Sequence, residues 1–521
     1  MSIQHFLDWS GGLQTRTSRF LRKPNEWAVL VNGHTDEIGA VTKRPGYKKV
    51  GGTFETGNAI TGIGDGGTYL YAGSNNTADS AGQLKYNNSS TAPVGGTWTA
   101  VSGGTAIPTD IYYQIVPFAE TQRVYIVGAK TVATDEDHFM KTLSATFGTP
   151  GTTADVSGAP RSRFAIRWRD RIYHGYCARN TGWSTGNWYN ETVEYKANRI
   201  IYSNVPTNGA ITYEDQGVSG YANFLDLDDD CTGVGTNNDS FLAWTRRSMW
   251  VRSGDTTLTW KKRYSIGCVS GYTVQNMDLY TIWLGRKGFY AYAGGKPQLI
   301  SNGISGIISG ITSPQSAFAA PSHDDDHYRC YVGTLTIEGR TFKNCVIQYT
   351  LSTNSWAVYS YRVATATTDT ITSMGVFDDG TTQRVYFGTS NGQVYVMGEP
   401  EDVTQIYADG NQTDETYDIT FWARTGKEDN GTPHEIKNSN KLIVYSENAQ
   451  NTKVNVITDP VATNGDPRPL GQIHKEIEEF TIDPPQHYWS QIEFTETSQR
   501  PSLKINGFSK NFDKTTTFVK E

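Results

Sequence analysis

Gln383-Arg384-Val385-Tyr386-Phe387-Gly388-Thr389-Ser390-Asn391-Gly392-Gln393-Val394-Tyr395-Val396 reads as two short strands joined at an Asn-Gly turn. That dipeptide tolerates the positive φ values a tight hairpin needs, and its flanks are β-branched and aromatic. The stretch has copies. Gln122-Arg123-Val124-Tyr125 repeats its opening tetrapeptide, and Tyr71-Ala72-Gly73-Ser74 with Gly82-Gln83-Leu84-Lys85-Tyr86 repeats the hairpin with a longer loop. The same apolar-aromatic signal ahead of a glycine centres on Tyr71, Tyr125, Tyr173, Trp250, Tyr290, Tyr331 and Tyr386, at intervals of 54, 48, 77, 40, 41 and 55 residues. Propeller blades repeat every 40–50 residues or so, each with four strands. The pattern predicts an all-β chain built on a degenerate β-propeller of six or seven blades over residues 55–400. The copies differ too much to match the tryptophan-aspartate or kelch consensus.

The 77-residue interval reads as an insertion rather than a hidden blade. Residues 176–198 hold Trp183, Trp188, Tyr189 and Tyr195 among Gly, Asn, Ser and Thr, with little strand alternation. That composition predicts a long surface loop. Trp183, Trp188 and Tyr189 are its candidate interface residues, because Trp and Tyr are enriched where subunits meet. Capping of the propeller core is the competing use of the same aromatics.

Composition agrees with an all-β chain. Gly is frequent at 53 of 521 residues, aromatics reach 12%, and windows with helical spacing of apolar residues are few. A net charge of −7 gives no basic stripe of the kind a free-standing nucleic-acid binder shows. Cys177, Cys231, Cys268, Cys330 and Cys345 are widely spaced without a CxxC pair, which predicts buried free thiols made in a reducing cytoplasm. Met1-Ser2-Ile3-Gln4-His5 lacks a basic start and an apolar core, so a secretory signal is not expected. No run approaches about 18 apolar residues, so no membrane span is expected.

Residues 1–54 form a distinct N-terminal arm, predicted to be extended, with turns at Gly11-Gly12, Asn32-Gly33 and Pro45-Gly46 and a helical turn after Pro24. Lys43-Arg44 reads as a solvated pair rather than a phosphate contact. After Pro400 the pattern becomes that of a β-sandwich over 401–521. Its expected strands are Lys441–Tyr445, paired through a turn at Asn448–Asn451 with Lys453–Ile457, and the return strands Ser490–Phe494 and Ser502–Phe508.

Ser10-Gly11-Gly12-Leu13, Pro24-Asn25-Glu26-Trp27-Ala28, Asn32-Gly33 and Lys43-Arg44-Pro45-Gly46-Tyr47 together resemble the N-termini of the tail hub, nozzle or stabilisation proteins of short-tailed bacteriophages. That resemblance covers the arm in motif and most of the chain in layout. It implies a virion structural protein, made in the host cytoplasm, that forms a homohexameric ring. The ring would extend the DNA-ejection channel below the portal and tail adaptor proteins and dock spikes, fibres or a plug. DNA would pass without sequence-specific binding, which favours a mildly acidic conduit, since phosphate-binding lysines would create a salt-dependent barrier.

Two acidic loops are the candidates for the lumen or ring face: Asp226, Asp228, Asp229 and Asp230, and Asp324, Asp325 and Asp326. Neither has calcium-loop spacing. His323 and His327 flank the second loop, but Pro321 and the strand after it argue against the helix that would align them. Asp135-Glu136-Asp137-His138 reads as a solvated run. With no nucleophile elbow, phosphate loop or zinc-protease motif, no catalytic residue, metal or cofactor is expected. The alternative is a glycan-binding or glycan-degrading propeller at the host surface, whose paired carboxylates could come from any of the 53 acidic residues.

Overall fold

Gln383–Thr389 pairs with Val394–Met397 as their sequences dictate, with Gly388 opposite Val394. Of the Asn-Gly pair only Gly392 takes a positive φ, 78°. Its N–H donates to the Thr389 carbonyl at 3.2 Å and the Thr389 N–H donates to the Gln393 carbonyl at 3.0 Å, making a loop longer than the two-residue turn. A Cβ on Gly392 would lie 1.4 Å from the Glu55 carbonyl oxygen, so the hairpin tip is wedged against the start of the first blade.

The computed structural model describes residues 2–514 apart from 16–21, 37–38, 76–83, 92, 103–110, 131–141, 157, 181–192, 208, 214–222, 239, 254–259, 261, 278, 323–325, 364–368, 381, 399–408, 411–415, 430–434, 459–466, 484–485 and 500–502. Six small sheets stand in a ring, the arrangement of a β-propeller. Their innermost strands are Ile60–Asp65, Ile111–Phe118, Arg161–Trp168, Gly233–Asn237, Gln275–Met277 and Ile371–Asp378. Between the last two stands Phe318–Ser322, the inner strand of a nine-stranded sheet whose first four strands complete the circle. Hydrogen bonds step from sheet to sheet. The Ser373 hydroxyl donates to the Ile60 carbonyl at 2.7 Å, the Ala165 N–H to Gln114 Oε1 at 2.8 Å, and Gln275 Nε2 to the Ala319 carbonyl at 2.8 Å. Tyr47–Lys49, from the N-terminal segment, supplies the outer strand of the last sheet and so ties the chain's beginning to the end of the ring.

The long interval holds no additional sheet among the described residues. Five of the repeated aromatics lie on second strands, but Trp250 and Tyr290 lie on third strands, which inflates the count before Trp250. An insertion accounts for the rest. Its base is not the featureless loop expected: Arg171–Asn180 runs on past its sheet and pairs with Val193–Lys196, Cys177 opposite Lys196. Trp183, Trp188 and Tyr189 lie outside the described residues, as do Asp135, Glu136, Asp137 and His138.

Beyond the ring, the nine-stranded sheet continues through Trp27–Val31 into Ile419–Thr425, Ser490–Ser498, Lys453–Thr458 and Arg468–Gln472. A second sheet, built on Ser2–Phe6, Val41–Lys43, Lys441–Glu447, Ile477–Thr481 and Lys504–Lys514, packs over it. Trp27, Val444, Val454, Phe494 and Phe508 fill the space between, and the Trp9 and Trp27 rings lie 4.3 Å apart. One expectation fails here. Lys441–Glu447 and Lys453–Thr458 do not pair; they lie in opposite sheets, because Asn448 (φ 51°) and Asn451 (φ 72°) turn the chain across the sandwich.

The N-terminal segment is woven through both halves. Its strands join the nine-stranded sheet, the second sandwich sheet and the last ring sheet. After Pro24 there is a turn and not a helix, with the Glu26 N–H donating to the Lys23 carbonyl. Lys43 and Arg44, expected to be solvated, are buried. Lys43 Nζ donates to Glu496 Oε2 at 2.5 Å and to the Ser498 carbonyl at 2.9 Å. Arg44 donates to both carboxylate oxygens of Asp409 (2.8 and 2.6 Å), to Asn32 Oδ1 (2.9 Å) and to the carbonyls of Pro45 (2.8 Å) and Ser360 (2.6 Å). Its guanidinium carbon also lies 4.1 Å from the centre of the Tyr361 ring. A buried guanidinium is tolerable when its donors are met by a carboxylate and fixed carbonyls. Apart from the adjacent Pro45 carbonyl, the partners that meet them lie 12 to 365 residues away, so the pair of letters gave no sign of them.

Candidate functional site

The seven inner strands surround a cavity of about 890 Å3 along the ring axis. All seven begin at the same face, since neighbouring strands bond start to start, and that face is termed here the proximal mouth. The turn at 65–69 and the strand ends Ser322 and His327 lie at the opposite, distal mouth.

Three residues from separate elements meet near the proximal mouth. Tyr112 follows the start of one inner strand, Arg163 lies on the next, and Tyr272 sits in the short turn Gly271–Thr273 that precedes a third. The Tyr112 and Tyr272 rings lie 5.5 Å apart across the ring, and Phe164 lies 5.3 Å from Tyr272. Arg163 spreads over Phe164 and Tyr272 at 5.5 and 5.6 Å. Burial, reinforced by Tyr272, pushes the Tyr112 hydroxyl above its ordinary pKa, although Arg163 works the other way. The Arg163 guanidinium is near enough to Tyr272 to act on it electrostatically. It interacts with the Tyr272 hydroxyl, yet Arg163 Nε and that hydroxyl are both buried without a hydrogen bond of standard geometry. Tyr176, opposite Arg163, carries a φ of 53°, a left-handed conformation that a bulky residue holds only under constraint. Arg246, Arg286 and Asp230 complete the charged lining at this end.

The acidic loops are not brought together. Asp226 ends the outer strand of its sheet and takes a two-pronged contact from Arg199 at 2.7 and 3.0 Å. Asp228 accepts from the Ser248 hydroxyl (2.9 Å), from Trp250 Nε1 (3.2 Å) and from Arg263, which ties two neighbouring sheets. Slight burial raises its pKa, but those bonds from Ser248, Trp250 and Arg263 win and hold it below the usual carboxylate range. Asp229 is exposed, and Asp230 faces the cavity. Asp326 lies at the distal mouth with φ 53°, its carbonyl accepting from the Leu351 N–H, while His323, Asp324 and Asp325 lie outside the described residues. His327 is buried beside Arg329, which with burial holds it neutral to well below its ordinary pKa.

Two other arrangements look chemical and prove structural. Ser162 Oγ, His174 and Tyr213 Oη form a chain at 2.8 and 2.6 Å, the pattern of a nucleophile and base. Ser162 and His174 are fully buried, so no substrate reaches them. Asp65 is raised by burial and by Asp378, but each carboxylate accepts an N–H from its own turn, Gly67 and Gly380 respectively. All five cysteines are buried and free, as the spacing predicts. Among the described residues no group of three His, Cys, Asp or Glu side chains is placed to hold a metal ion. No helix among them is long and apolar enough to cross a membrane.

The axial cluster was invisible in the sequence. Tyr112, Arg163 and Tyr272 share no motif, and only ring closure brings them together.

No family model and no curated protein matches the chain. Among solved structures it is similar to Pyrococcus horikoshii acylaminoacyl peptidase (uncomplexed), at 7% identity and a TM-score of 0.38 over 70% of this chain and 58% of that one. It is also similar to Kluyvelomyces marxianus Hsv2, at 8% identity and a TM-score of 0.30 over 53% of this chain and 72% of that one. The chain thus spans under two thirds of the peptidase. Neither likeness carries a functional argument, and the fold rests on the ring itself.

Proposed function

We propose that this chain is a structural subunit of a short-tailed bacteriophage virion, a ring-forming tail nozzle or hub. In this reading it extends the DNA-ejection channel below the portal and adaptor proteins and docks spikes, fibres or a plug. One observation supports it above the others. The N-terminal positions that carry the resemblance are the joint of the molecule: Leu13, Trp27, Asn32, Lys43, Arg44 and Tyr47 are all buried where ring and sandwich meet. A continuous sheet and buried ion pairs crossing that joint make one stiff body, which suits a subunit that bears load in an assembly. DNA in this account follows the axis of the assembled ring. It does not thread the propeller, whose own axis is narrowed by Tyr112 and Tyr272.

Light scattering on the purified protein, alone and with a portal–adaptor complex, tests the reading. The expected mass is near six times 57.6 kDa, alone or on the adaptor. A monomer that ignores the adaptor and degrades polysaccharide would refute it and favour the glycan-directed alternative.

A further inference from the structure

We propose that the proximal mouth of the central cavity binds a small organic anion, whose carboxylate or phosphate group is held by Arg163 and the Tyr272 hydroxyl. The inference is independent of the tail reading, because it concerns a site inside one chain.

The cavity, at about 890 Å3, falls in the size range of ligand pockets, which typically combine apolar walls with a few convergent polar groups. Here the walls are Phe164, Tyr112 and Tyr272, and the convergent groups are donors. The Arg163 guanidinium interacts with the Tyr272 hydroxyl, yet Arg163 Nε and that hydroxyl are both buried without a hydrogen bond of standard geometry, although buried polar groups in folded proteins nearly always have well-formed partners. An added partner should be an acceptor, since the guanidinium can only donate and a Tyr272 hydroxyl that accepts from Arg163 still has its own proton to donate. The guanidinium carbon lies 5.5 and 5.6 Å from the centres of the Phe164 and Tyr272 rings, so the cation is set against aromatic walls, and a planar guanidinium can grip a carboxylate or phosphate in two places.

Charge points the same way. Three guanidinium groups, Arg163, Arg246 and Arg286, line this mouth against one carboxylate, Asp230. Arg246 and Arg286 are exposed and make no ion pair among the described residues. At the distal mouth, by contrast, Arg167 is neutralised by Glu120. An excess of cationic donors over low-dielectric walls concentrates small anions. The left-handed Tyr176 beside Arg163 fits a constrained binding position, where such backbone strain tends to collect.

Calorimetric titration of the full chain with inorganic phosphate and, separately, with citrate tests the site at fixed ionic strength set by chloride. Saturable binding of either anion is expected, and the tighter of the two assigns the ligand's acidic group. Arg163→Gln should weaken binding by about ten- to a hundredfold, the range for a lost hydrogen bond to a charged group. Tyr272→Phe keeps the ring stack and should still weaken binding severalfold. So should the exposed pair Arg246→Ala with Arg286→Ala. No saturable binding of either anion to the wild-type chain overturns the proposal. Unchanged affinity in Arg163→Gln does so as well. If that variant does not fold, unchanged affinity in both Tyr272→Phe and the Arg246→Ala/Arg286→Ala protein overturns it.

Discussion

Replacing Arg44 by Met tests whether the N-terminal segment clamps the two halves of the molecule. The side chain is 2% exposed and its five hydrogen bonds reach Asn32, Pro45, Ser360 and Asp409. Methionine keeps much of the volume and removes every donor. Asp409, 1% exposed, then keeps, among the described residues, the Arg362 N–H at 3.1 Å. Stripping one partner from a buried ion pair costs about 3–5 kcal/mol, mostly for the uncompensated charge that remains. This case should lie in the upper half of that range, because the Pro45 and Ser360 carbonyls each lose the guanidinium donor as well. Adding Asp409→Leu removes the stranded carboxylate, so the double variant should regain about 2 kcal/mol or more over the single one. Guanidinium chloride unfolding followed by tryptophan fluorescence reads both, since Trp9, Trp27 and Trp422 lie at the joint. A loss below about 1 kcal/mol for Arg44→Met would refute the clamp. So would a double variant as unstable as the sum of its parts.

Other expectations follow from single features. Gly392→Ala forces a side chain to φ 78° and onto the Glu55 carbonyl, and should cost about 2 kcal/mol or more, measured by the shift in thermal midpoint. Burial pushes the His174 pKa down from 6.5 to about 3, so the unfolded chain gains a proton below pH 6.5 that the folded chain refuses. Its contribution is therefore complete above pH 6.5 and shrinks by about 1.4 kcal/mol per pH unit on acidification towards 3. His327 adds to the loss with the same sign. Stability curves against pH for wild type and His174→Phe check this; parallel curves between pH 6 and 4 would contradict it. A thiol reagent should label none of the five cysteines rapidly in the native protein and all five after denaturation, because each is buried and burial raises each thiol's pKa.

What the sequence disclosed was local. The Asn-Gly hairpin and its copies revealed strands, a repeat near blade length and hence the ring, because a hairpin encodes its own pairing within some fourteen letters. Pairing at a distance was hidden. Lys43-Arg44 looked solvated because its partners, Glu496 and Asp409, lie 453 and 365 residues on. Lys441–Glu447 and Lys453–Thr458 look like a hairpin by the same local logic, and only the two left-handed asparagines between them send the chain into the facing sheet. The acidic runs drew attention as clusters, whereas in space Asp226 and Asp228 are bound by arginines while Asp230 faces the cavity. The residues that converge on the axis come one from each of several blades, so no window of sequence contains them.

Electron microscopy of the purified chain on a portal–adaptor complex tests the central proposal most directly. The account predicts rings of six subunits with an open axis wide enough for a DNA duplex, and with each propeller's own channel lying off that axis. Particles that stay single beside an undecorated adaptor, or that assemble without an axial opening, would contradict it.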